Sequence, residues 1–382
     1  MNNASALLNA PMAPAATPAL ARTWAQRVAA PLNATLAHPL VENIIRPGSA
    51  EDFLRGLHPM LSLTDVRARV VRIVNETPDT KTFVLQPNAL WQGALAGQFV
   101  NLRLQIDGRR VTRSYSLSSR PGARRLAITV RRQTGGLVSN HLHQQARVGD
   151  VWTLSQAMGD FALPIQLPSR LLLLSAGSGI TPVMAMLREL QARRYAGDVL
   201  FLHTCRTPQD LIFADSLREM AVTFPALKLQ LHFTSQSGRL DAKALLSRVP
   251  DLAQCATWLC GPQSLMDSVQ QMWRDTAIPA PLHNERFTAL ALLPTSAPGA
   301  PVTVTWAGQS FTTAGDAPLL VQAENAGLSP KHGCRIGICR SCQCTKTQGT
   351  VQNLQTGEIS SQPGELIRLC ISAARSNLTL DL

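Results

Sequence analysis

The chain has 382 residues, 45% of them hydrophobic and 16% charged, with a formal net charge of +12. That length has room for about two to four domains, each able to bury a core. No apolar run approaches the roughly 18 residues needed to cross a bilayer. The positive residues are scattered over enzyme-like segments without a recognition motif, which argues against nucleic acid; the charge reads either as a basic surface for an acidic partner or a membrane face, or as biased composition rich in Arg and Ala.

Residues 1–63 read as a flexible N-terminal extension. The first 37 contain no acid and are rich in Ala, Pro and Asn, the composition of a disordered tail. A transit peptide shares it but would carry more Arg and Ser. Then come His38-Pro39-Leu40, Ala50-Glu51-Asp52-Phe53-Leu54 and Leu57-His58-Pro59-Met60.

From 64 to 167 the pattern is one of short alternating strands. The expected strands are 64–74, 80–86, 98–105, 111–117, 125–131 and 150–155, each broken by Pro, Gly or Asp. Six of them predict a closed antiparallel barrel. Within the fourth, Arg113, Tyr115 and Ser116 offer a phosphate counter-charge, a ring cover and a hydrogen bond to a ring edge. Gly135-Gly136 with Ser139 follows, and then Ala157-Met158-Gly159-Asp160-Phe161.

At 168–288 the period changes. A continuous apolar strand at 170–175 runs into Ala176-Gly177-Ser178-Gly179-Ile180-Thr181-Pro182, then a helix over 183–194 whose first turn Pro182 pre-sets. Strand, glycine loop and helix make a pyrophosphate cradle, because free N–H groups at the helix start face the ligand. Alternation continues with strand 199–203, helix 214–220, strand 228–234 and strand 258–260, a parallel sheet wound by helices. Cys260-Gly261-Pro262 ends the last strand at the carboxyl edge, where ligands sit in such sheets. Cys260 is either a nicotinamide neighbour or a small apolar strand-end residue. After the second strand there is no acid until Asp210, while Arg206 and Arg239 stand on the same edge, which favours NADPH over NADH; the two arginines also read as solvated surface charges.

Residues 289–300 are a short linker rich in Ala, Pro, Leu and Ser. In 301–382, strands at 302–306 and 310–313 form a hairpin around Gly308-Gln309, and Asp316 is placed to N-cap a helix over 318–326 ended by Gly327. Next, Cys334, Cys339 and Cys342 stand in a Cys-x4-Cys-x2-Cys row, with Cys370 near the C-terminus. That is the plant-type spacing for a [2Fe-2S] cluster. A zinc site usually takes two short hooks, and here only one exists; disulfides belong to oxidising compartments and small secreted domains. Arg335 suits a negatively charged site, and Cys344 falls outside the ligand set.

These motifs resemble known families. Residues 64–287 look like the flavin and nicotinamide halves of the ferredoxin-NADP reductase superfamily, through Arg113-x-Tyr115-Ser116, the Gly135-Gly136-x-x-Ser139 turn and the Gly177-x-Gly179-Ile180-Thr181-Pro182 loop. The last eighty or so residues resemble the plant-type ferredoxin domain, a β-grasp fold. The resemblance implies FAD held by Arg113, Tyr115, Ser116, Gly135, Gly136 and Ser139, and NAD(P)H held by Gly177, Gly179, Thr181 and Pro182. It also implies catalytic roles for Cys260, Glu285 and Phe287 beside the reacting rings. Residues 38–66 are similar to the leader of bacterial reductases that serve membrane-bound acyl desaturases.

The implied order of cofactors carries a hydride from NAD(P)H to FAD and single electrons through the cluster to an external acceptor. The expected acceptor is a membrane acyl desaturase, met by a cytoplasmic protein with peripheral membrane contact. The alternatives are a Rieske-type oxygenase or a di-iron hydroxylase or monooxygenase, and less so a stand-alone flavin reductase or a redox-sensing module.

Overall fold

In the computed structural model the described residues are 47–287, 301–306, 308–333, 335, 337 and 340–381. The chain divides into two compact units, the second beginning at Arg286. Among the described residues no helix is long and apolar enough to cross a membrane.

The first unit opens with helix α1 (Pro47–Leu57). This stretch was expected to be flexible. It is held instead by fully buried Leu54 and by Glu51, whose carboxylate accepts the Leu63 N–H at 3.0 Å. The barrel comprises β1 (Val66–Thr77), β2 (Thr80–Pro87), β3 (Phe99–Ile106), β4 (Arg109–Ser116), β5 (Leu126–Arg131) and β6 (Val151–Leu154), in the order β4-β3-β6-β1-β2-β5. All pairs are antiparallel, and Leu117 bridges Ile128 so that the β4 and β5 edges meet. Closure leaves no free edge, and the inward alternating residues, among them Val70, Phe83, Val100, Leu102 and Ile128, form the barrel core. Helix α2 (Leu137–Gln145) follows β5.

The second half of the unit is a parallel sheet, β11-β10-β7-β8-β9. Its strands are β7 (Arg170–Ala176), β8 (Asp198–Cys205), β9 (Leu227–Phe233), β10 (Ala256–Cys260) and β11 (Leu282–Glu285). Helices α3 (Ile180–Ala192), α4 (Ala214–Thr223), α5 (Ala242–Arg248) and α6 (Gln263–Asp275) cover it. β7 is buried along almost its whole length because one face packs with α3 and α4 and the other with α5 and α6, as parallel sheets require.

The second unit contains β12 (Val302–Trp306), β13 (Gln309–Thr313), α7 (Leu319–Asn325), β14 (Gln343–Gln348), β15 (Val351–Asn353), β16 (Ile359–Ser360), β17 (Glu365–Arg368), β18 (Ser372–Ala374) and β19 (Leu378–Asp381). The sheet β13-β12-β19-β14-β17 is joined by a smaller one, β16-β15-β18. Asp316 does not cap α7: the helix starts after Pro318, and the Asp316 carboxylate accepts instead from the Gln322 side chain at 2.6 Å. Proline at 318 fixes the entry, and the carboxylate bonds a later residue. Lys346 on β14 is fully buried, and its Nζ donates to the carbonyls of Gly349, Ser360 and Gln362 at 3.2, 3.3 and 2.6 Å.

Candidate functional site

On β4 Arg113 is exposed, Tyr115 two residues on is half-buried against the barrel core, and Ser116, on the opposite face of the strand, is buried. Burial pushes the Tyr115 phenol well above its ordinary value, so this ring stays neutral. Beyond β5 the chain turns at Gly135, whose φ of +71° is in the left-handed region, with nothing within 4 Å of a Cβ added there. Gly136 is the N-cap of α2. Ser139 Oγ accepts the Gln133 N–H at 3.1 Å, and the Asn140 side chain donates to the carbonyls of Gln133 and Gly136 at 3.0 and 2.7 Å. These bonds fix the turn so that the first N–H groups of α2 form an anion seat.

The second glycine turn is built differently. β7 ends at Ala176, and Gly177–Gly179 form one turn of 3-10 helix that runs straight into α3. Gly179 lies against the end of β10: a Cβ there would stand 2.2 Å from the Cys260 carbonyl oxygen. The Thr181 hydroxyl donates to the Ser178 carbonyl at 3.0 Å, and Pro182 is buried in the first turn of α3. Gly135 and Gly177 take left-handed turns, at φ +71° and +53°, and each turn leads into a helix whose first N–H groups suit a phosphate, so the chain fits a flavin and a nicotinamide nucleotide.

Three expected residues converge at this sheet edge. Cys260 pairs in register with Glu285 across β10 and β11, and the Ser116 hydroxyl from the barrel donates to Glu285 Oε2 at 3.5 Å. Burial raises the Glu285 carboxyl to about 8, against which the Ser116 hydroxyl it accepts from pulls it down. The Cys260 thiol is raised well above 9 by burial and then by Glu285, and it is a neutral neighbour, not a nucleophile. Phe287 falls in the second unit, where its ring is 38% exposed. Arg206 and Arg239 are exposed at the carboxyl ends of β8 and β9, where the Ser235 N–H donates to the Arg206 carbonyl at 3.0 Å.

In the second unit Cys334 and Cys339 lie outside the described residues. Cys342 and Cys370 are both buried in one core, with the Cys342 carbonyl accepting from Leu369 N at 3.1 Å. The Gly337 N–H donates to Cys370 Sγ at 3.2 Å, and Arg368 donates to the Gly337 carbonyl. An N–H aimed at sulfur in a buried loop suits a thiolate ligand of an iron–sulfur cluster. Arg335 is tied to Glu324 through both its Nη atoms, so its charge is already paired. Cys344 faces the strand interior, and burial holds its thiol up at about 12.

The sequence reading passed over Ser175 and His203, bonded at 2.7 Å beneath the glycine loop, and over Arg188. Arg188 had a signal: with Glu189 it breaks the apolar run of α3 between Leu187 and Leu190, and of the two charges it is the one that is buried.

The chain matches the oxidoreductase FAD-binding domain family over residues 67–163, the oxidoreductase NAD-binding domain family over 173–271 and the 2Fe-2S iron-sulfur cluster binding domain family over 303–375. It belongs to the ferredoxin-NADP reductase type of flavoprotein oxidoreductases that carry a C-terminal [2Fe-2S] domain, and it uses FAD, the cluster and NAD(P)H. An NADPH oxidoreductase of Mycobacterium tuberculosis is 35% identical over 352 residues, spanning 90% of this chain and 91% of that protein. A glycine betaine monooxygenase reductase subunit of Chromohalobacter salexigens is 28% identical over 378 residues, 90% of this chain and 100% of the relative. Phthalate dioxygenase reductase, a solved structure described as a modular structure for electron transfer from pyridine nucleotides to [2Fe-2S], superposes with a TM-score of 0.58 at 25% identity, over 84% of this chain and 98% of that one.

Proposed function

We propose that this reductase is the electron-donating component of an oxygenase system, with a Rieske-type or monooxygenase partner as acceptor. The observation that carries the reading is the convergence of Ser116, Glu285 and Cys260 at the carboxyl edge of the parallel sheet. The likeness to two oxygenase reductases along most of the chain supports the acceptor class.

When bound, the flavin and the cluster turn the hydride of NAD(P)H into single electrons for the partner. The chain's residues do the rest. Arg113 neutralises flavin phosphate, Tyr115 covers the ring, and Ser116 bonds its edge. Gly135, Gly136 and Ser139 shape the seat for the flavin pyrophosphate, and Gly177, Gly179, Thr181 and Pro182 that for the nicotinamide nucleotide. Cys260 packs beside the nicotinamide, and Glu285 accepts the Ser116 hydroxyl in the water-poor edge. Arg206 and Arg239 receive a 2'-phosphate, which makes NADPH the preferred donor. Cys334, Cys339, Cys342 and Cys370 ligate the cluster.

A membrane acyl desaturase is the second reading. It rests on the leader resemblance and on α1, where Phe53 and Leu57, one turn apart, are 65% and 61% exposed. Reconstitution separates the two: the reductase is mixed with NADPH and either a Rieske oxygenase or a desaturase in vesicles, and product is measured. Turnover with the oxygenase alone is expected; desaturation alone would reverse the order. Cys342→Ser should abolish either turnover while sparing ferricyanide reduction from the flavin.

A further inference from the structure

The barrel and the parallel sheet of the first unit are joined by a buried circuit of hydrogen bonds centred on Arg188 of α3, which is 1% exposed. Its Nη1 donates to the Ser118 carbonyl, two residues beyond Ser116 on the flavin strand, and its Nη2 donates to Ser216 Oγ at 3.5 Å. The guanidinium carbon lies 5.2 Å from the centre of the Phe213 ring. On the barrel side, Ser118 Oγ meets Thr129 Oγ1 at 3.1 Å, Thr129 meets Thr82 at 2.8 Å, and the Thr82 hydroxyl donates to Glu76 Oε1 at 2.7 Å. Glu76 Oε2 accepts the backbone N–H of Phe213 at 3.3 Å. Phe213 is the N-cap of α4, the helix that carries Ser216, and so the circuit closes.

Its bonds leave little freedom. Each hydroxyl has one proton, so Thr82 donating to Glu76 obliges Thr129 to donate to Thr82, and the Ser118 proton is shared between Thr129 and the Ala127 carbonyl at 3.3 Å. Burial lowers the Arg188 guanidinium to about 10, which leaves it charged at neutral pH. A buried charge of this kind is costly unless bonded, and here the bonds it makes reach both halves. Arg188 stands about two turns along the helix that begins at the Gly177–Gly179 turn. The same side chain therefore ties the nucleotide turn to the strand carrying Arg113, Tyr115 and Ser116.

We infer that Arg188 is a positioning residue for hydride transfer, setting the distance between the flavin strand and the nicotinamide edge through the circuit Ser118, Thr129, Thr82, Glu76, Phe213 and Ser216. Hydride transfer is steep in distance, and a misplacement of about 1 Å costs on the order of a hundredfold. The inference rests on β4 being the flavin strand.

The test uses the full chain with FAD and cluster in place and ferricyanide as acceptor, so it is independent of the oxygenase. Arg188→Met keeps the volume and removes the charge. Stopped-flow flavin reduction by NADPH should slow at least about tenfold, with KM within about twofold and with a larger primary isotope effect for deuterated NADPH. Amide hydrogen exchange at Phe213 should quicken, and Arg188→Lys should recover part of the rate. Loss of flavin from β4 would instead appear as a reduced FAD content, which is read separately. Thr82→Val opens the same circuit from the barrel side and serves if Arg188→Met fails to fold. A hydride step unchanged in both foldable variants, or a fall in melting temperature with no change in isotope effect, would overturn the inference.

Discussion

Two glycine turns feed helices in the first unit, one ahead of α2 and one ahead of α3, and an added Cβ meets opposite surroundings in each. At Gly135 the space is open, and only the φ of +71° asks for glycine. At Gly179 the backbone is ordinary right-handed helix, φ −62° and ψ −9°, but a Cβ would stand 2.2 Å from the Cys260 carbonyl. Each turn also holds a glycine of the other kind, since a Cβ on Gly136 would meet Ser139 Oγ at 2.6 Å and Gly177 is left-handed at φ +53°. Similar motif letters therefore carry different physics, and substitutions should tell them apart.

The largest effect is expected at Gly179→Ala. Backbone must move to admit the methyl, at about 3 kcal/mol or more, and flavin reduction by NADPH should be lost while FAD stays bound. Retained NADPH affinity by titration would show the turn to be less closed than its contacts indicate. Gly135→Ala should cost about 1–2 kcal/mol, the penalty for a left-handed residue, and should weaken FAD retention in dialysis without changing the affinity for NADPH. Ser139→Ala leaves the Gln133 N–H without its 3.1 Å partner and should cost about 1 kcal/mol in chemical denaturation, on the flavin side only.

A different kind of effect is a pH dependence at the strand end that closes the second turn. The Glu285 carboxyl rises from 4.5 to about 8 on burial, so the folded state holds a proton that the unfolded chain releases. Its contribution is full below about pH 4.5 and is lost as pH rises through about 8. Glu285→Gln cannot ionise and should match the parent near pH 6 only after a common offset, then gain relative stability at pH 9. Melting curves at the two pH values that keep a constant difference would place the titration elsewhere.

The barrel strands were legible because polar and apolar residues alternate within them, and β7 because Leu171–Leu174 is continuously apolar. Helix α6 was also legible, with Met266, Val269, Met272 and Trp273 buried at helical spacing. β11 was not legible: Leu-His-Asn-Glu has no pattern of its own, and it is a strand through its pairing with β10. The same holds for the site. Local motifs marked both glycine turns and the cysteine row, whereas the meeting of Ser116 with Glu285 spans 169 positions of sequence, and no local pattern encodes it. Arg188 was visible only as an anomaly in an apolar run.

Lys346 has a consequence for chemistry done on the protein from outside. Its ammonium is enclosed by three carbonyls and is 0% exposed, so amine-directed acylating reagents reach it only when the ferredoxin unit opens. Acylated fraction at Lys346 against time, read by mass spectrometry, is then a clock for that opening, and every other lysine supplies the background rate of the reagent.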